Sequence, residues 1–421
     1  MATATRSVAE LCSSAKQASR ELAIADTGTR NGALTRLADL LTDRAREILD
    51  ANAADLADDR AAGLTEALRD RLALSEERIA AMAQGVQEIA GLADPVGEVL
   101  EEGTLASGLR MKKVRVPLGV VAVIYEARPN VTVDCAALTL KSGNALVLRG
   151  SSYAARSNGA LAAVVREAVS AAGLPDGAVE LLDGGERNEL AELATAEGLV
   201  DLIIPRGGVG LKDVLKSVAT VPVMYAAAGN CHVYVHEDAD FEMARGIAYN
   251  AKVQRPGVCN AAETLLVNSA VAEEFLPPLL ADLRDAGVEL VGDEGARAAG
   301  GGVAVGEATE ADWDTEYLGM KMAIAVVGSL EHAISHVNRH GTGHSEAIVT
   351  SSDQAAQAFT DEVDAAVVYV NASTRFTDGF EFGMGAEIGN STQKLHARGP
   401  IGLRELTTFK YVVHGNGQVR S

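Results

Sequence analysis

Cys259 is the residue of this 421-residue chain whose surroundings point most directly to chemistry. It follows a Pro-Gly turn and precedes the apolar run 265–267, so a turn can present its sulfur to a substrate. Cysteine attacks as a thiolate, which backbone N–H groups or a nearby cation stabilise, and Arg255 is close in sequence. The alternative is an inert packing residue. Because turn residues and Asn260 flank it, we predict a nucleophile.

The other three cysteines predict neither a disulfide framework nor a zinc site. Cys12, Cys135 and Cys231 are widely spaced, and only His232, beside Cys231, comes near metal-ligand spacing. Cys12 lies in a helical pattern and Cys135 in an apolar one, so both are predicted to be packing residues. We expect no bound metal.

Two loops after predicted strands could bind anions. Ligands of parallel sheets bind at the carboxyl ends of strands, and the strands 145–148 and 202–204 both end near an arginine and small residues. The residues of interest are Arg149, Ser151 and Ser152 in the first loop, and Arg206, Gly207 and Gly208 in the second. The second loop opens a helix, whose N–H groups could face a phosphate. It lacks the Gly-x-Gly-x-x-Gly fingerprint, so a plain tight turn is an equal alternative.

Composition narrows the class of protein. Apolar residues make up 48% and charged residues 23%, as in globular proteins, and the length suits two or three domains. A net charge of -21 argues against a nucleic-acid partner. No apolar run approaches the roughly 20 residues of a membrane span, and the N-terminus lacks a signal-peptide core. We expect a cytoplasmic protein.

The elements that must position these residues follow from apolar periodicity. Helices are predicted over 8–25, 33–56 and 75–89, and an exposed edge strand or hairpin over 111–117. From residue 120, strands and helices alternate, which predicts a doubly wound parallel sheet, and a second such pattern begins near Cys231. The predicted strands of the two patterns are 120–125, 145–148, 179–182, 202–204, 232–235, 265–267, 322–327, 347–349 and 367–370, and the tail 406–413 reads as one more exposed strand.

The order of motifs resembles the aldehyde dehydrogenase superfamily over nearly the whole chain, and within it the branch that reduces L-glutamyl 5-phosphate in proline biosynthesis. The motifs that carry the resemblance are residues 123–132, 254–263, 370–383 and 393–400. The resemblance implies an α/β, aldehyde-dehydrogenase-like fold with two doubly wound αβ domains and a small β oligomerisation flap. It implies an N-terminal helical and NADP(H)-binding domain (1–104 and 118–228), a catalytic domain (229–371), a return segment lining the active site (372–404) and oligomerisation strands (105–117 with 405–421).

The implied reaction is the reduction of L-glutamyl 5-phosphate by NADPH to L-glutamate 5-semialdehyde and phosphate. Cys259 would attack the acyl phosphate carbon and form a thioester. Asn130 matches the superfamily's oxyanion-hole asparagine, with the Cys259 N–H as its partner. The alternative for Asn130 is a turn or helix-cap residue.

The resemblance also implies how the cofactor binds. Glu316 matches the glutamate that holds the nicotinamide ribose, and its alternative is a solvated loop acid. The loop with Arg149, Ser151 and Ser152 meets the adenosine ribose. Hydroxyls and an arginine there tolerate a 2′-phosphate, whereas a carboxylate would repel it, so NADPH is preferred over NADH.

One absence separates this chain from hydrolytic aldehyde dehydrogenases, which carry a glutamate base before a Gly-Gly pair. The matching segment, 225–230, contains alanines and no acid or base, so the thioester should survive water and react with phosphate instead. That run of alanines and Tyr153 depart from the reductase pattern and leave the fine cofactor contacts open.

The substrate carries two anionic groups and an ammonium. Arg255 and Arg375 are the candidates for the anions, since a guanidinium pairs bidentately with a carboxylate or phosphate. Asp378 or Glu381 could take the ammonium, although each of the four could equally form a surface ion pair. Three histidines that could act as acids or bases, namely His232, His344 and His396, are predicted to be structural.

The expected partners are the small substrate, a second copy of the chain and a transient donor. Residues 109–116 and 406–413 occupy the places where superfamily members pair across subunits, so a homodimer or homotetramer is expected. Glutamate 5-kinase could hand over the unstable acyl phosphate. Two rival functions remain at this stage, an ordinary aldehyde-oxidising dehydrogenase and a catalytically silent scaffold of the same fold.

Overall fold

The structure, a computed structural model, describes residues 6–182, 187–225 and 228–420. The chain forms two units, and one of them contains Met1–Tyr225, Gly383–Gly389 and Ile401–Ser421. The other contains Ala226–Phe382 and Asn390–Pro400. We call them the first and second units.

The helices and strands are named here in chain order. The α-helices are α1 Val8–Leu22, α2 Thr27–Asp43, α3 Ala45–Leu56, α4 Glu66–Leu72, α5 Glu76–Gly91, α6 Asn130–Lys141, α7 Ala155–Ala171, α8 Arg187–Ala194, α9 Val209–Val218, α10 Phe241–Val253, α11 Ala272–Asp285, α12 Glu294–Ala298, α13 Glu310–Trp313, α14 Leu330–His340 and α15 Asp353–Glu362. The strands are β1 Val99–Thr104, β2 Arg110–Pro117, β3 Val120–Tyr125, β4 Ala145–Arg149, β5 Val179–Leu182, β6 Leu202–Arg206, β7 Cys231–Val235, β8 Ala262–Asn268, β9 Glu289–Gly292, β10 Gly306–Glu307, β11 Lys321–Val327, β12 Ser345–Val349, β13 Val367–Val370, β14 Asn390–Ser391, β15 Gly399–Pro400 and β16 Thr407–His414.

The N-terminal helices begin where the sequence offers caps. Ser75 precedes α5, and its hydroxyl accepts the N–H of Arg78 at 3.1 Å. The prediction of one helix over 33–56 was wrong, because Arg44 leaves the helical conformation with ψ 14° and separates α2 from α3. No glycine or proline marks this break. The Arg44 guanidinium instead joins Glu47 to Glu167 of α7.

The first unit is built on a four-stranded sheet of order β5-β4-β3-β6, and every neighbouring pair is parallel. All six residues of β3 are buried, as expected for a strand covered on both faces. The predicted parallel sheet is confirmed. Its geometry places the loops after β3, β4 and β6 at one edge, because the strands run in the same direction.

The second unit contains a seven-stranded parallel sheet of order β10-β9-β11-β8-β7-β12-β13. Alternate residues of its strands pack on opposite faces. Val233 and Leu265 join the side chains of α10 and α11, while Tyr234 and Leu266 join those of α14 and α15. Helices therefore cover both faces, which is the doubly wound arrangement. The strands β9 and β10 are not among the predicted strands.

A small antiparallel sheet of order β1-β2-β16 belongs to the first unit. The hairpin interpretation of residues 111–117 is confirmed, but the edge interpretation was wrong. β2 is central, because β16 pairs with its second side from Thr407 opposite Pro117 to His414 opposite Arg110. β1 was not predicted, and all six of its residues are exposed. Among the described residues, no helix is long and apolar enough to cross a membrane.

Candidate active site

Cys259 lies in the loop between α10 and β8, and its side chain is partly exposed, whereas the other three cysteines are buried. Gly229 packs directly against the peptide group of Cys259, so that a β-carbon at position 229 would overlap the Cys259 carbonyl. The Cys231 thiol donates to that same carbonyl at 3.2 Å. Burial raises the pKa of Cys231 well above its ordinary value, so this thiol stays a neutral donor. The start of β7 therefore fixes the backbone of the candidate nucleophile.

Asn260 ties the Cys259 loop to the segment around the short helix Thr374–Phe376. Its Nδ2 donates to the carbonyl of Thr377 at 2.8 Å, and its own carbonyl accepts the hydroxyl of Thr374 at 2.7 Å. The Thr377 hydroxyl in turn hydrogen-bonds Ser345 at 2.6 Å and Tyr369 at 2.9 Å. This network is mostly buried and gives the loop one well-defined path.

Arg375 is held beside Cys259 by amide oxygens instead of by a carboxylate. Its guanidinium donates to Oδ1 of Asn260 and, at 2.8 Å, to Oε1 of Gln254. Burial lowers the pKa of Arg375, and the nearby positive charge of Arg255 lowers it further, while the carboxylate of Asp378 opposes both effects. Among the described residues, no carboxylate lies within ion-pair distance of either arginine. The structure thus brings Cys259, Arg255 and Arg375 together, with Asp378 nearby.

The two acids predicted for the ammonium group are less distinctive. Asp378 is partly buried, and its Oδ1 accepts the N–H of Phe380 at 2.9 Å, as in a local turn. Glu381 is exposed. Neither forms an ion pair with a described residue, but Asp378 lies near enough to Arg375 to raise its pKa.

Glu316 lies in the loop between α13 and β11 and is partly buried. Its Oε1 accepts the N–H of Gly229 at 2.6 Å. Gly229 therefore contacts the Cys259 peptide with its α-carbon and the Glu316 carboxylate with its N–H. This bond occupies one carboxylate oxygen of Glu316, and the second oxygen can accept a further hydrogen bond.

Asn130 is the first residue of α6 in the first unit. Its Nδ2 donates to Oδ2 of Asp134 at 2.9 Å. Burial raises the pKa of Asp134 to about 6, although Asn130 and Arg206 lower it. An ionised carboxylate can only accept hydrogen bonds, so Asp134 fixes the side-chain amide of Asn130 with the amide nitrogen toward the carboxylate. The second N–H of that nitrogen can then donate to another acceptor.

The loop after β4 combines a cation with small polar residues. Burial lowers the pKa of Arg149, while Glu189 opposes this effect. The hydroxyl oxygen of Ser151 is buried and has no hydrogen-bond partner among the described residues. Ser152 is partly buried and begins a short helix, and Tyr153 is 39% exposed. The Ser151 hydroxyl is thus available to a ligand group.

The loop after β6 already faces a carboxylate. Gly208 donates its N–H to Oε1 of Glu126 at 3.3 Å, and a β-carbon on Gly207 would come within 2.9 Å of the same oxygen. A phosphate at this helix start would have to displace Glu126. Arg206 lies near Asp134 and packs against Gly389.

Of the residues predicted to be structural, Cys12, Cys135, His232 and His344 are buried, whereas His396 is exposed. Cys12 and Cys135 are buried, and burial raises the pKa of Cys12 to about 11. His232 bonds Glu346 at 3.0 Å, and burial lowers the pKa of His344 to about 4. His396 has a φ of 70°. For the segment predicted to lack a general base, Ala226 and Ala227 lie outside the described residues.

Sequence reasoning did not anticipate the residues that hold this site. Gly229, Cys231, Glu126 and Asp134 make the contacts described above with Cys259, Glu316, Gly208 and Asn130. The nearest available signals were the Gly-Asn-Cys-His order at the start of β7 and the i, i+4 spacing of Asn130 and Asp134 on one helix.

Comparison with known proteins gives a consistent result. The model of the aldehyde dehydrogenase family matches residues 1–299 and 307–412. A gamma-glutamyl phosphate reductase of Koribacter versatilis is 54% identical over 411 residues, which cover 98% of this chain and 99% of the relative. One of Moorella thermoacetica is 54% identical over 406 residues, covering 96% and 97%. The crystal structure of the gamma-glutamyl phosphate reductase of Thermotoga maritima superposes with a TM-score of 0.96 at 47% identity, covering 99% of this chain and 100% of that one.

Proposed function

The chain belongs to the aldehyde dehydrogenase family, among the gamma-glutamyl phosphate reductases, and we propose from this premise that it reduces L-glutamyl 5-phosphate with NADPH through a thioester on Cys259. The products are L-glutamate 5-semialdehyde and phosphate, in proline biosynthesis. The family and the fold predicted from the motifs are confirmed, and the chain is an oxidoreductase.

One observation carries the proposal. A partly exposed cysteine lies on a rigidly held loop beside two arginines that have no carboxylate partner among the described residues. Positive charge favours both the thiolate and an anionic substrate. Two arginines without a described ion-pair partner beside a partly exposed cysteine are what an enzyme with a thiolate nucleophile and an anionic substrate requires.

The proposed reaction proceeds through successive bond changes at Cys259. The Cys259 thiolate forms a C–S bond to the acyl carbon, and the C–O bond to phosphate breaks, with the electron pair leaving on phosphate. Arg255 and Arg375 bind the anionic groups of the substrate, and Asp378 is the proposed partner of its ammonium. When bound, NADPH supplies the hydride that reduces the thioester. The C–S bond then breaks, the aldehyde leaves and the thiolate is regenerated.

The residues of the loop after β4 fit the cofactor's 2′-phosphate. The buried Ser151 hydroxyl without a described partner and the Arg149 guanidinium provide a donor and a positive charge. Glu316 would accept a ribose hydroxyl with the carboxylate that Gly229 orients. Residues 206–208 would contribute backbone N–H groups only if Glu126 moved away.

The acyl-enzyme can be tested directly. When the enzyme is mixed with L-glutamate 5-semialdehyde and NADP in a buffer without phosphate, we expect a burst of NADPH equal to the number of active sites, followed by slow turnover. Mass spectrometry should find a glutamyl group on the peptide that contains Cys259. A steady rate without a burst would favour a hydrolytic aldehyde dehydrogenase, and no NADPH at all would favour the silent scaffold.

Replacing Asn130 with alanine tests the proposed oxyanion donor. We expect kcat to fall by about 10²- to 10³-fold, because one oxyanion-hole donor contributes about 3 to 4 kcal/mol to the transition state. The KM for NADPH should change little. Steady-state kinetics measure both, and circular dichroism checks the fold. A kcat within threefold of the wild type would make Asn130 a helix-start residue only.

Replacing Ser152 with aspartate tests the cofactor preference. A carboxylate there should repel the 2′-phosphate and lower the ratio of kcat/KM for NADPH to that for NADH by about tenfold or more, equivalent to about 1.4 kcal/mol. Ser152→Asn is the matched control, because it has the same shape without the charge. An unchanged ratio in the aspartate variant would place the 2′-phosphate elsewhere.

The chain is further proposed to form a homodimer or homotetramer through β16. One edge of this strand pairs with β2, while Phe409, Tyr411 and Val413 on the same strand are about half exposed. An apolar edge strand of this kind favours pairing with another chain. Light scattering at micromolar concentration should give a multiple of the chain's mass, and a monomer would contradict the proposal.

A further inference from the structure

A buried ion pair lies behind the Cys259 loop. Lys252, one position before the end of α10, pairs with Oε2 of Glu263 in β8, and both side chains are completely buried. The other carboxylate oxygen of Glu263 accepts the backbone N–H of Leu318 at 3.1 Å. The pair therefore joins a helix, the strand that follows Cys259 and the loop that carries Glu316.

Stability alone does not account for this pair. Burying two charges has a desolvation cost that their attraction barely offsets, and apolar residues of similar size usually serve as well or better. Burial raises the pKa of Glu263 to about 7, while Lys252 and the N–H of Leu318 lower it. An apolar pair could fill the space but could not accept the N–H of Leu318.

The bonded N–H belongs to a strained turn. Leu318 has a φ of 51°, which is unfavourable for a residue with a branched side chain, and its side chain is 46% exposed. Burial of the leucine side chain therefore does not hold the turn. The preceding Tyr317 is fixed as well, because its hydroxyl donates to Oδ1 of Asp312 at 2.9 Å and Lys252 lies 5.8 Å from its ring.

These contacts connect the turn at Leu318 to the loop that carries Cys259. Glu316 is two residues before Leu318 and bonds the N–H of Gly229, which in turn presses on the Cys259 peptide. Glu263 is four residues after Cys259 in the same segment. The bond between Glu263 and Leu318 therefore links the segment that follows Cys259 to the loop that carries Glu316.

We propose that Glu263, held in place by Lys252, is a positioning residue that sets Glu316 against Cys259 and thereby aligns the nicotinamide ribose with the acylated sulfur. This inference rests on the proposed role of Glu316 in cofactor binding. Neither Glu263 nor Lys252 touches the reacting atoms. Their effect should thus be seen in cofactor affinity and hydride transfer, and not in acylation of Cys259.

Two double variants separate positioning from stability. Lys252→Met with Glu263→Leu removes both buried charges and the acceptor for Leu318, whereas Lys252→Met with Glu263→Gln removes the charges but keeps a neutral acceptor. We expect both to melt at or above the temperature of the wild type. The dissociation constant of NADPH, measured by calorimetry without substrate, should rise about tenfold in the leucine variant and less than threefold in the glutamine variant.

Glu316→Gln distinguishes the failure of the inference from the failure of the cofactor role. If it weakens NADPH binding, and the leucine pair adds nothing in that background, Glu263 acts through Glu316. If Glu316→Gln weakens binding but the leucine pair binds NADPH like the wild type, the positioning inference is overturned. If Glu316→Gln itself leaves NADPH binding unchanged, the proposed role of Glu316 fails, and the inference fails with it.

Discussion

Cys259→Ala is expected to abolish the reaction in both directions, with a loss in kcat of roughly 10⁴-fold or more, because no other described thiol is exposed to substrate. Cys231, the thiol that bonds the Cys259 carbonyl, is buried and its raised pKa keeps it protonated. It cannot replace the nucleophile. The burst of NADPH from L-glutamate 5-semialdehyde should disappear together with the glutamyl mass increase.

Cys12→Ala is the matched control for the loss of a thiol. Cys12 is buried in α1 of the first unit, so its loss should affect stability slightly and leave kcat within about twofold of the wild type. In Cys259→Ala itself, NADPH binding should be unchanged. This result would show that the cofactor site of the variant is intact. Residual turnover above a few per cent in Cys259→Ala would mean that the thioester is not on the reaction path.

Gly229→Ala is expected to have the second largest effect, although the change adds only one methyl group. The new β-carbon would overlap the Cys259 carbonyl, and because this carbonyl is backbone and cannot rotate away like a side chain, the loop must move. A shift of about 1 Å in a catalytic group can lower the rate about 100-fold. We expect at least this loss in kcat, with weaker NADPH binding because Glu316 bonds the same residue.

Gly257→Ala in the same loop is its control. A β-carbon there would meet only the carbonyl oxygen of Leu318, at an ordinary 3.8 Å. Most of the activity should therefore remain in this variant, as measured by kcat and the melting temperature. Equal activity in the two alanine variants would show that close packing at Gly229 does not position Cys259.

The sequence predicts much of the fold because long apolar runs leave few choices. β3, β5 and β13 have the predicted limits of 120–125, 179–182 and 367–370. The break at Arg44 was missed because the residue is a good helix former, and its departure from the helix accompanies ion pairs with Glu47 and the distant Glu167. The central place of β2 depends on β16, almost 300 residues later, and no local pattern reports that pairing.

The sequence likewise predicts some residues of the candidate site but not the contacts that hold them. Cys259 stands out because turn residues flank it, and Asn130 and Glu316 were found through motifs. The contacts that hold them are long-range and need the register of several strands. Gly229 reaches Cys259 only because β7 and β8 are neighbours, and Lys252 meets Glu263 only when α10 packs beside β8. Nothing in the local sequence indicates either contact.

The most direct test of the central claim is the dependence of the reverse reaction on phosphate. The wild-type enzyme receives L-glutamate 5-semialdehyde and NADP, and steady-state NADPH formation is followed with and without phosphate. If a Cys259 thioester is released by phosphate, sustained turnover should require phosphate and increase with its concentration to saturation. Turnover that continues at the same rate without phosphate would contradict this account, because water would then release the acyl group.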